Sequence, residues 1–276
     1  LFSSLKKIIQ HKNFDIIVID HYLIDNIYEK KCSEHCKKVV VFEDLANRKH
    51  NCDILIDQNL GRDKKDYQEY VPKNCKLLLG SDFCLLRDEF LKQKENTVVT
   101  KSSHTLKVFI SFGTSDFHDI TSTVLSIFLE LKLEAELIIA MSSISPNLNK
   151  IKNISSKNPE KIKLHVNSNN IRDLMENSDF AIGACGVTAW ERCYIGLPTI
   201  CIKTAENQDF IYKTLLGKHM IVDGGDWTNF SKKELLKKIN LISLDSELRK
   251  KISLKCKNLI DGQGVSRVYS ALVGSE

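Results

Sequence analysis

Short, continuous apolar runs alternate with stretches of helical spacing along most of the chain. Residues 14–20 (FDIIVID), 38–44 (KVVVFED), 52–58 (CDILIDQ) and 75–80 each read as a buried strand. The same pattern returns at 106–111 (LKVFIS), 136–141 (ELIIAM), 163–166, 179–184 and 199–203. Between these runs, residues 1–11, 26–37, 120–131, 171–176 and 188–194 carry helical periodicity, and 231–241 and 245–260 form two lysine-rich amphipathic helices. Strands that are apolar throughout, rather than alternating, belong to parallel sheets covered on both faces. The spacing therefore predicts an α/β protein built from doubly wound, parallel-sheet, Rossmann-like domains. A polar stretch without a period, 93–104 (QKENTVVTKSSH), reads as a linker and divides the chain into domains 1–95 and 104–276.

In open parallel sheets, ligands bind beyond the carboxyl ends of the strands. In the first half those ends read Asp20-His21-Tyr22, Glu43-Asp44 and Asp57-Gln58-Asn59. Asp44 and Asp57 fit ordinary turns or helix caps. Asp20, His21 and Tyr22 place an acid–base group and a hydroxyl in a row, although a histidine there can equally be structural. In the second half, Gly113, Thr114 and Ser115 follow a strand, and their amides and hydroxyls suit a phosphate. The alternative is a plain turn with Asp116 capping the next helix. Residues 179–208 (DFAIGACGVTAWERCYIGLPTICIKTAENQ) form a βαβ unit with a small-residue turn through Gly186. The helix beginning at Thr188 presents unpaired N–H groups and a partial positive charge, which suits a diphosphate. Thr188-x-x-Glu191 has the spacing of a capping box, and Glu191 alternatively accepts hydrogen bonds from two ribose hydroxyls.

Composition narrows the partners. The 276 residues are 42% hydrophobic and 27% charged, with a net charge of +5. The lysines form no basic run interleaved with aromatics, which argues against nucleic acid. The nine cysteines are scattered, and Cys52, Cys84, Cys193 and Cys201 lie in apolar runs, as expected of reduced thiols in a cytoplasmic protein. Cys32, His35 and Cys36 lack a second ligand pair, so no metal is expected. No run is long enough to span a bilayer; residues 124–141 carry Glu130, Lys132, Glu134 and Glu136. No apolar patch for a lipid acceptor is expected either. The chain opens at Leu1 in the middle of a helical pattern, so a preceding segment is expected.

Several motifs fall at characteristic intervals. They are 182–191 (IGACGVTAWE), Gly196-Leu197-Pro198 and Ala205-Glu206-Asn207-Gln208 in the second half. In the first half they are Ile19-Asp20-His21-Tyr22, Glu43-Asp44-Leu45-Ala46, 52–59 and 85–90 (LLRDEF), and near the end 261–267 (DGQGVSR). Together they resemble the nucleotide-sugar half of GT-B enzymes. More narrowly, the chain resembles the UDP-2,4-diacetamido-2,4,6-trideoxy-β-L-altropyranose hydrolase family of pseudaminic acid biosynthesis and the related spore-coat polysaccharide proteins. The resemblance implies two domains across a cleft in the GT-B arrangement, a UDP-sugar substrate, release of free sugar and UDP, and neither metal nor cofactor. It implies ribose binding by Glu191 and diphosphate binding by Gly113, Thr114, Ser115, Gly186 and Thr188. Asn207 and Gln208 would face sugar or phosphate, and Asp20, His21 and Tyr22 the attacking water.

The chain departs from the family in four places. The family's opening Gly-x-Gly-His turn, whose histidine is its general base, has no match, which leaves the first domain incomplete and His21 as the substitute. Thr114 and Cys185 stand where the family has Gly, and Val187 where it has Ser. A transferase with the same donor site and a non-catalytic sugar-nucleotide binder are the alternative readings.

Overall fold

The computed structural model describes residues 13–92, 105–131 and 133–274. The helix expected over 1–11 and the linker expected over 93–104 lie outside the described residues. The chain divides into two units, Leu1–Leu85 with Gly262–Glu276, and Leu86–Asp261.

The first unit holds four parallel strands in the order β1 (Phe14–Ile19), β2 (Cys36–Phe42), β3 (Ile54–Asp57) and β4 (Lys76–Leu79). Helix α1 (Asn26–Ser33) is capped by Asp25, whose carboxylate accepts the Tyr28 N–H. It ends earlier than its polar spacing suggested, because Cys36 already pairs with Phe14 in the sheet. Ladder formation there outweighs helix propensity. A short helix, α2 (Lys64–Tyr67), precedes β4. One face of the sheet packs Val39, Val41 and Leu55 with Cys32 and Tyr67, all fully buried. Each such aliphatic side chain contributes roughly 1.5–3 kcal/mol on burial.

The second unit begins with a short helix, α3 (Asp88–Leu91), followed by β5 (Leu106–Ser111) and α4 (Ile120–Glu130). Then come β6 (Ala135–Met141), α5 (Leu148–Lys157), β7 (Ile162–Val166) and α6 (Ile171–Glu176). The chain continues through β8 (Phe180–Ala184), α7 (Thr188–Ile195), β9 (Thr199–Lys203), α8 (Asp209–Gly217), β10 (Val222–Asp226), α9 (Lys232–Leu244) and α10 (Ser246–Lys257). The six strands are parallel, in the order β10-β9-β8-β5-β6-β7. Strand order therefore reverses between β5 and β8, which makes this sheet doubly wound. Helix α5 was not visible in the spacing, because few of its side chains are apolar and only Leu148, Ile151 and Ser155 are buried. Helix α7 ends where Gly196 turns left-handed, at φ 69°, as the Gly-Leu-Pro signal required.

The last residues return to the first unit. There α11 (Gly264–Val273) lays Val268 against Val40, Ile54, Ile56 and Leu78. Lys38 Nζ donates to the Leu272 carbonyl at 2.9 Å, and Arg267 Nη1 to the Asp82 carbonyl at 2.9 Å. A Cβ on Gly264 would stand 2.1 Å from the Cys84 carbonyl oxygen. Gly264 of the 261–267 motif thus serves packing, and Gly262 takes a left-handed φ of 77°. Gly264→Ala should cost ~3 kcal/mol or more, above the usual range for overpacking because the obstruction is backbone. Urea unfolding followed by circular dichroism measures it, and an unchanged midpoint would refute the close packing.

Candidate functional site

The reversal between β5 and β8 falls at the carboxyl ends of two adjacent strands, where doubly wound sheets bind ligands. The turn after β5 holds Gly113, Thr114 and Ser115, and the turn after β8 holds Gly186 and leads into Thr188. A Cβ on Gly183 would lie 2.6 Å from the Ser111 carbonyl oxygen and 3.0 Å from Arg192 Nη1, so only glycine fits between these strands.

The two turns are not equivalent. After β5, Gly113 takes a left-handed φ of 76°, so the positive φ falls on glycine and Thr114 needs none. Asp116 Oδ1 and Oδ2 accept the Ile120 and Thr121 N–H groups at 3.0 and 3.1 Å, closing the start of α4. Burial raises the Asp116 pKa against these bonds. Asp119, not Asp116, occupies the N-cap position and makes no side-chain cap bond, so Asp116 closes the helix start from three residues before it. After β8, the helix has no such cap. Val187 occupies the N-cap position without a side-chain bond, so the Thr188–Glu191 capping box does not form. Instead Thr188 Oγ1 accepts from Arg192 Nη1 at 3.3 Å. Among the described residues, the N–H groups of Gly186, Val187 and Thr188 donate to no protein acceptor. Gln208 Nε2 lies 3.8 Å from where a Gly186 Cβ would be, which brings Gln208 beside this turn. Its Oε1 accepts the Thr204 N–H at 2.9 Å. Asn207 shares the 3-10 turn Glu206–Gln208.

Glu191 is 3% exposed. Arg87 Nε and Nη2 donate to its two carboxylate oxygens at 2.6 and 2.9 Å, a bidentate pair. Arg87 lies within the 85–90 motif, and its partner, 104 positions away, is not visible in the spacing.

Asp20, His21 and Tyr22 lie in the first unit, after β1. Asp20 is exposed. His21 Nδ1 accepts the Leu23 N–H at 3.1 Å, which leaves the neutral ring's proton on Nε2. The half-exposed Tyr22 donates its hydroxyl to Asp44 Oδ2 at 2.8 Å. Burial raises the Asp44 pKa to about 6, the Tyr22 bond opposing it and the charges of Glu43 and Asp57 adding to it. Asp44 Oδ1 is buried without a partner. Beneath lies a charge chain that the sequence did not disclose. His50 bonds Glu29 Oε1 at 2.8 Å through Nδ1 and Glu43 Oε2 at 2.9 Å through Nε2, with all three side chains buried. Arg48 Nε donates to Glu43 Oε2 at 2.8 Å, and its other nitrogens hold the His21 and Tyr22 carbonyls. Asp57, read as a turn residue, is buried under Arg62 Nε, the Tyr67 hydroxyl and the Asn59 N–H.

All nine cysteines are free thiols. Cys36 Sγ donates to the Cys32 carbonyl. Among the described residues, no three His, Cys, Asp or Glu side chains converge on a possible metal position, and no helix is long and apolar enough to cross a membrane.

A reversing parallel sheet with an uncapped helix start at its switch point defines the Rossmann-like class used for nucleotides. The lipid-A-disaccharide synthetase family model (LpxB) matches residues 81–222, and the chain belongs to that family. The resemblance read from the motifs is borne out. The UDP-2,4-diacetamido-2,4,6-trideoxy-β-L-altropyranose hydrolase of Campylobacter jejuni is 32% identical over 177 residues, 64% of this chain and 61% of that protein. An uncharacterized protein of Methanocaldococcus jannaschii, MJ1062, is 28% identical over 223 residues, 78% of this chain and 46% of that protein. The chain thus spans about half to three fifths of these relatives. The crystal structure of the UDP-GlcNAc 2-epimerase of Neisseria meningitidis superposes with a TM-score of 0.72 at 12% identity, over 99% of this chain and 80% of that one. The fold is that of the GT-B enzymes' Rossmann-like domains.

The His50 chain sets a pH window. Against burial, the bonds from His50, the Leu45 N–H and Arg48 lower Glu43 from 4.5 to about 2. Also against burial, Glu29 and Glu43 raise His50 from 6.5 to about 9. The raised histidine stabilises fully below about 6.5 and loses that contribution as pH rises through about 9. The depressed carboxylate stabilises fully above about 4.5 and loses it as pH falls through about 2. Stability should therefore be greatest between these limits, and His50→Gln should flatten the decline on the alkaline side. Thermal melts of both proteins from pH 5 to 9 check this; parallel curves would dismiss the doubly bridged imidazolium.

Proposed function

We propose that this chain hydrolyses a UDP-linked 2,4-diacetamido-2,4,6-trideoxy sugar to free sugar and UDP, as the name of the Campylobacter relative states for that protein. The observation that carries this reading is the uncapped turn at Gly186 and Thr188 beside the strand reversal, flanked by Gln208. In the second unit, the amides after β8 and the loop at Gly113, Thr114 and Ser115 take the diphosphate. Glu191 takes the ribose hydroxyls on lone pairs that Arg87 leaves free, since a carboxylate accepts about four hydrogen bonds. Asn207 and Gln208 face the diphosphate or the sugar.

Chemistry needs a proton acceptor for water. His21, with Nδ1 engaged and its proton on Nε2, is a donor rather than a base in this arrangement. Asp44, with a pKa of about 6 and Tyr22 on one oxygen, suits the base role better. Water attacks the anomeric carbon, the carbon–oxygen bond to the diphosphate breaks, UDP leaves with the electron pair, and a base receives the proton, the role proposed for Asp44 within the first unit.

A second reading, transfer of the sugar to an acceptor hydroxyl, has two observations in its favour. One is the family description as a disaccharide synthetase. The other is exposed apolar surface after Tyr22, with Leu23 83% exposed and Ile27 63%. Incubation with the UDP-diacetamido-trideoxy-altrose substrate, analysed by UDP release and mass spectrometry of the sugar, separates the readings. Release of free sugar is expected, lost by at least about a hundredfold in Asp44→Asn and reduced in the Asn207→Ala, Gln208→Ala double variant. UDP release only when an acceptor alcohol is added would establish transfer. UDP binding without release in either assay would reduce the chain to a binding module.

A further inference from the structure

Arg192 follows Glu191 on α7, and its side chain is 1% exposed. Nη2 donates to the Ala184 carbonyl at 2.5 Å and lies 3.8 Å from Cys201 Sγ. Nη1 donates to Thr188 Oγ1 at 3.3 Å, and Nε has no partner. Among the described residues, no carboxylate comes within ion-pair distance of this guanidinium. Cys201 is its titratable neighbour, its thiol drawn down by the Cys185 thiol and by the guanidinium itself, against burial.

A buried guanidinium without a carboxylate is costly, because the interior cannot replace its lost hydration. The chain keeps room for it: Gly183 is the position where a Cβ would meet Nη1. Its two nitrogens with oxygen acceptors both address the turn after β8, the turn whose amides are open. The N-terminal end of α7 adds partial positive charge at the same place. A hydroxyl that accepts from Nη1 has its own hydrogen free to donate outward.

We propose that Arg192 is the buried counter-charge of a diphosphate bound at the turn after β8, acting through Thr188, whose hydroxyl accepts from the guanidinium and donates to a phosphate oxygen. Arg192 is a positioning residue in this scheme and does not touch the ligand. The inference rests on the nucleotide reading above and deepens it. It explains why an arginine is retained in the interior beside the strand reversal. It also assigns the binding selectivity to charge: the site favours a diphosphate over the uncharged nucleoside.

Isothermal titration at pH 6, on the acid side that favours the Cys201 thiol over its thiolate, tests it with UDP, uridine and inorganic pyrophosphate as probes. Arg192→Met keeps the volume and removes the charge; Arg192→Lys keeps the charge; Thr188→Val removes the relay. Expected is a loss of UDP and pyrophosphate affinity of about tenfold or more in Arg192→Met, with uridine changed by no more than about twofold. Arg192→Lys retains most of the UDP affinity, and adding Thr188→Val to Arg192→Met costs little further. The ligand-free melting temperature of Arg192→Met stays level or rises, since an unpaired buried charge has been removed.

Equal weakening of UDP and uridine with a lower melting temperature would make Arg192 merely structural and overturn the proposal. So would unchanged UDP binding in Arg192→Met. Arg192-dependent pyrophosphate binding without any gain from uridine would sustain this anion site and discard the nucleotide reading. A wild-type chain that binds neither anion would overturn both.

Discussion

The contact between Gly183 and the Ser111 carbonyl is the constraint on which the second unit's site depends. Strands β5 and β8 are neighbours because the chain reverses its winding there, and no side chain fits on Gly183 between Ser111 and Arg192. Phe109, Ile110, Ala181 and Ile182 fill both faces of this pair and are essentially solvent-free. Polar groups are therefore pushed to the strand ends, where Gly113, Gly186 and Thr188 stand. The site is a by-product of burying a parallel sheet on both faces, with a glycine holding the floor open for one cation.

The two units treat buried charge in opposite ways. In the first, charges other than Asp44 are paired. His50 sits between two carboxylates, Glu43 serves His50 and Arg48, and Asp57 is matched by Arg62 and Tyr67. Such a network is costly to break at any one member, since each loss strands its neighbour. It fixes the turn bearing His21 and Tyr22 through their carbonyls, so the direction of the Tyr22 hydroxyl is set from below. In the second unit, Glu191 is matched by Arg87, but Arg192 is not matched by any carboxylate among the described residues. A satisfied network rigidifies, whereas an unsatisfied charge is a capacity to bind.

Most of the fold was legible because it rests on local rules. Continuous apolar runs gave the strands from β1 to β9 within a residue or two, and Gly196-Leu197-Pro198 gave the end of α7. Helix α5 escaped because its buried stripe contains only Leu148, Ile151 and a serine. The return of α11 escaped because the surface that receives Gly264 is backbone at Cys84, and spacing carries no trace of such a contact. Site residues at strand ends could be found from the winding rule. Their partners could not: Arg87 to Glu191, His50 to Glu29, and Asp44 to Tyr22 are joined across 104, 21 and 22 positions. The Thr188-x-x-Glu191 pattern misled for the same reason, since a distant guanidinium outcompetes a local amide for a buried carboxylate.

Hydrolase and transferase share a donor half, so nothing in the turn after β8 selects between them. The choice falls on what meets the anomeric carbon. A base for water has to be ionised near neutral pH and still basic, and Asp44 meets that condition because burial and two neighbouring carboxylates raise it while Tyr22 restrains the rise. His21 does not meet it while its Nδ1 is held by the Leu23 amide. Under the hydrolytic proposal, a base drawn from the second strand suits a small nucleophile, because water needs only a proton acceptor and a position. An alcohol acceptor needs recognition of the rest of its molecule as well. In the first unit, the polar groups described at the ends of β1 and β2 are largely engaged with one another, and Asp44 Oδ1 is the buried oxygen there left without a donor. Under the hydrolytic proposal, proton transfer to Asp44 falls to Oδ2, the oxygen that Tyr22 engages, since Oδ1 is closed to solvent.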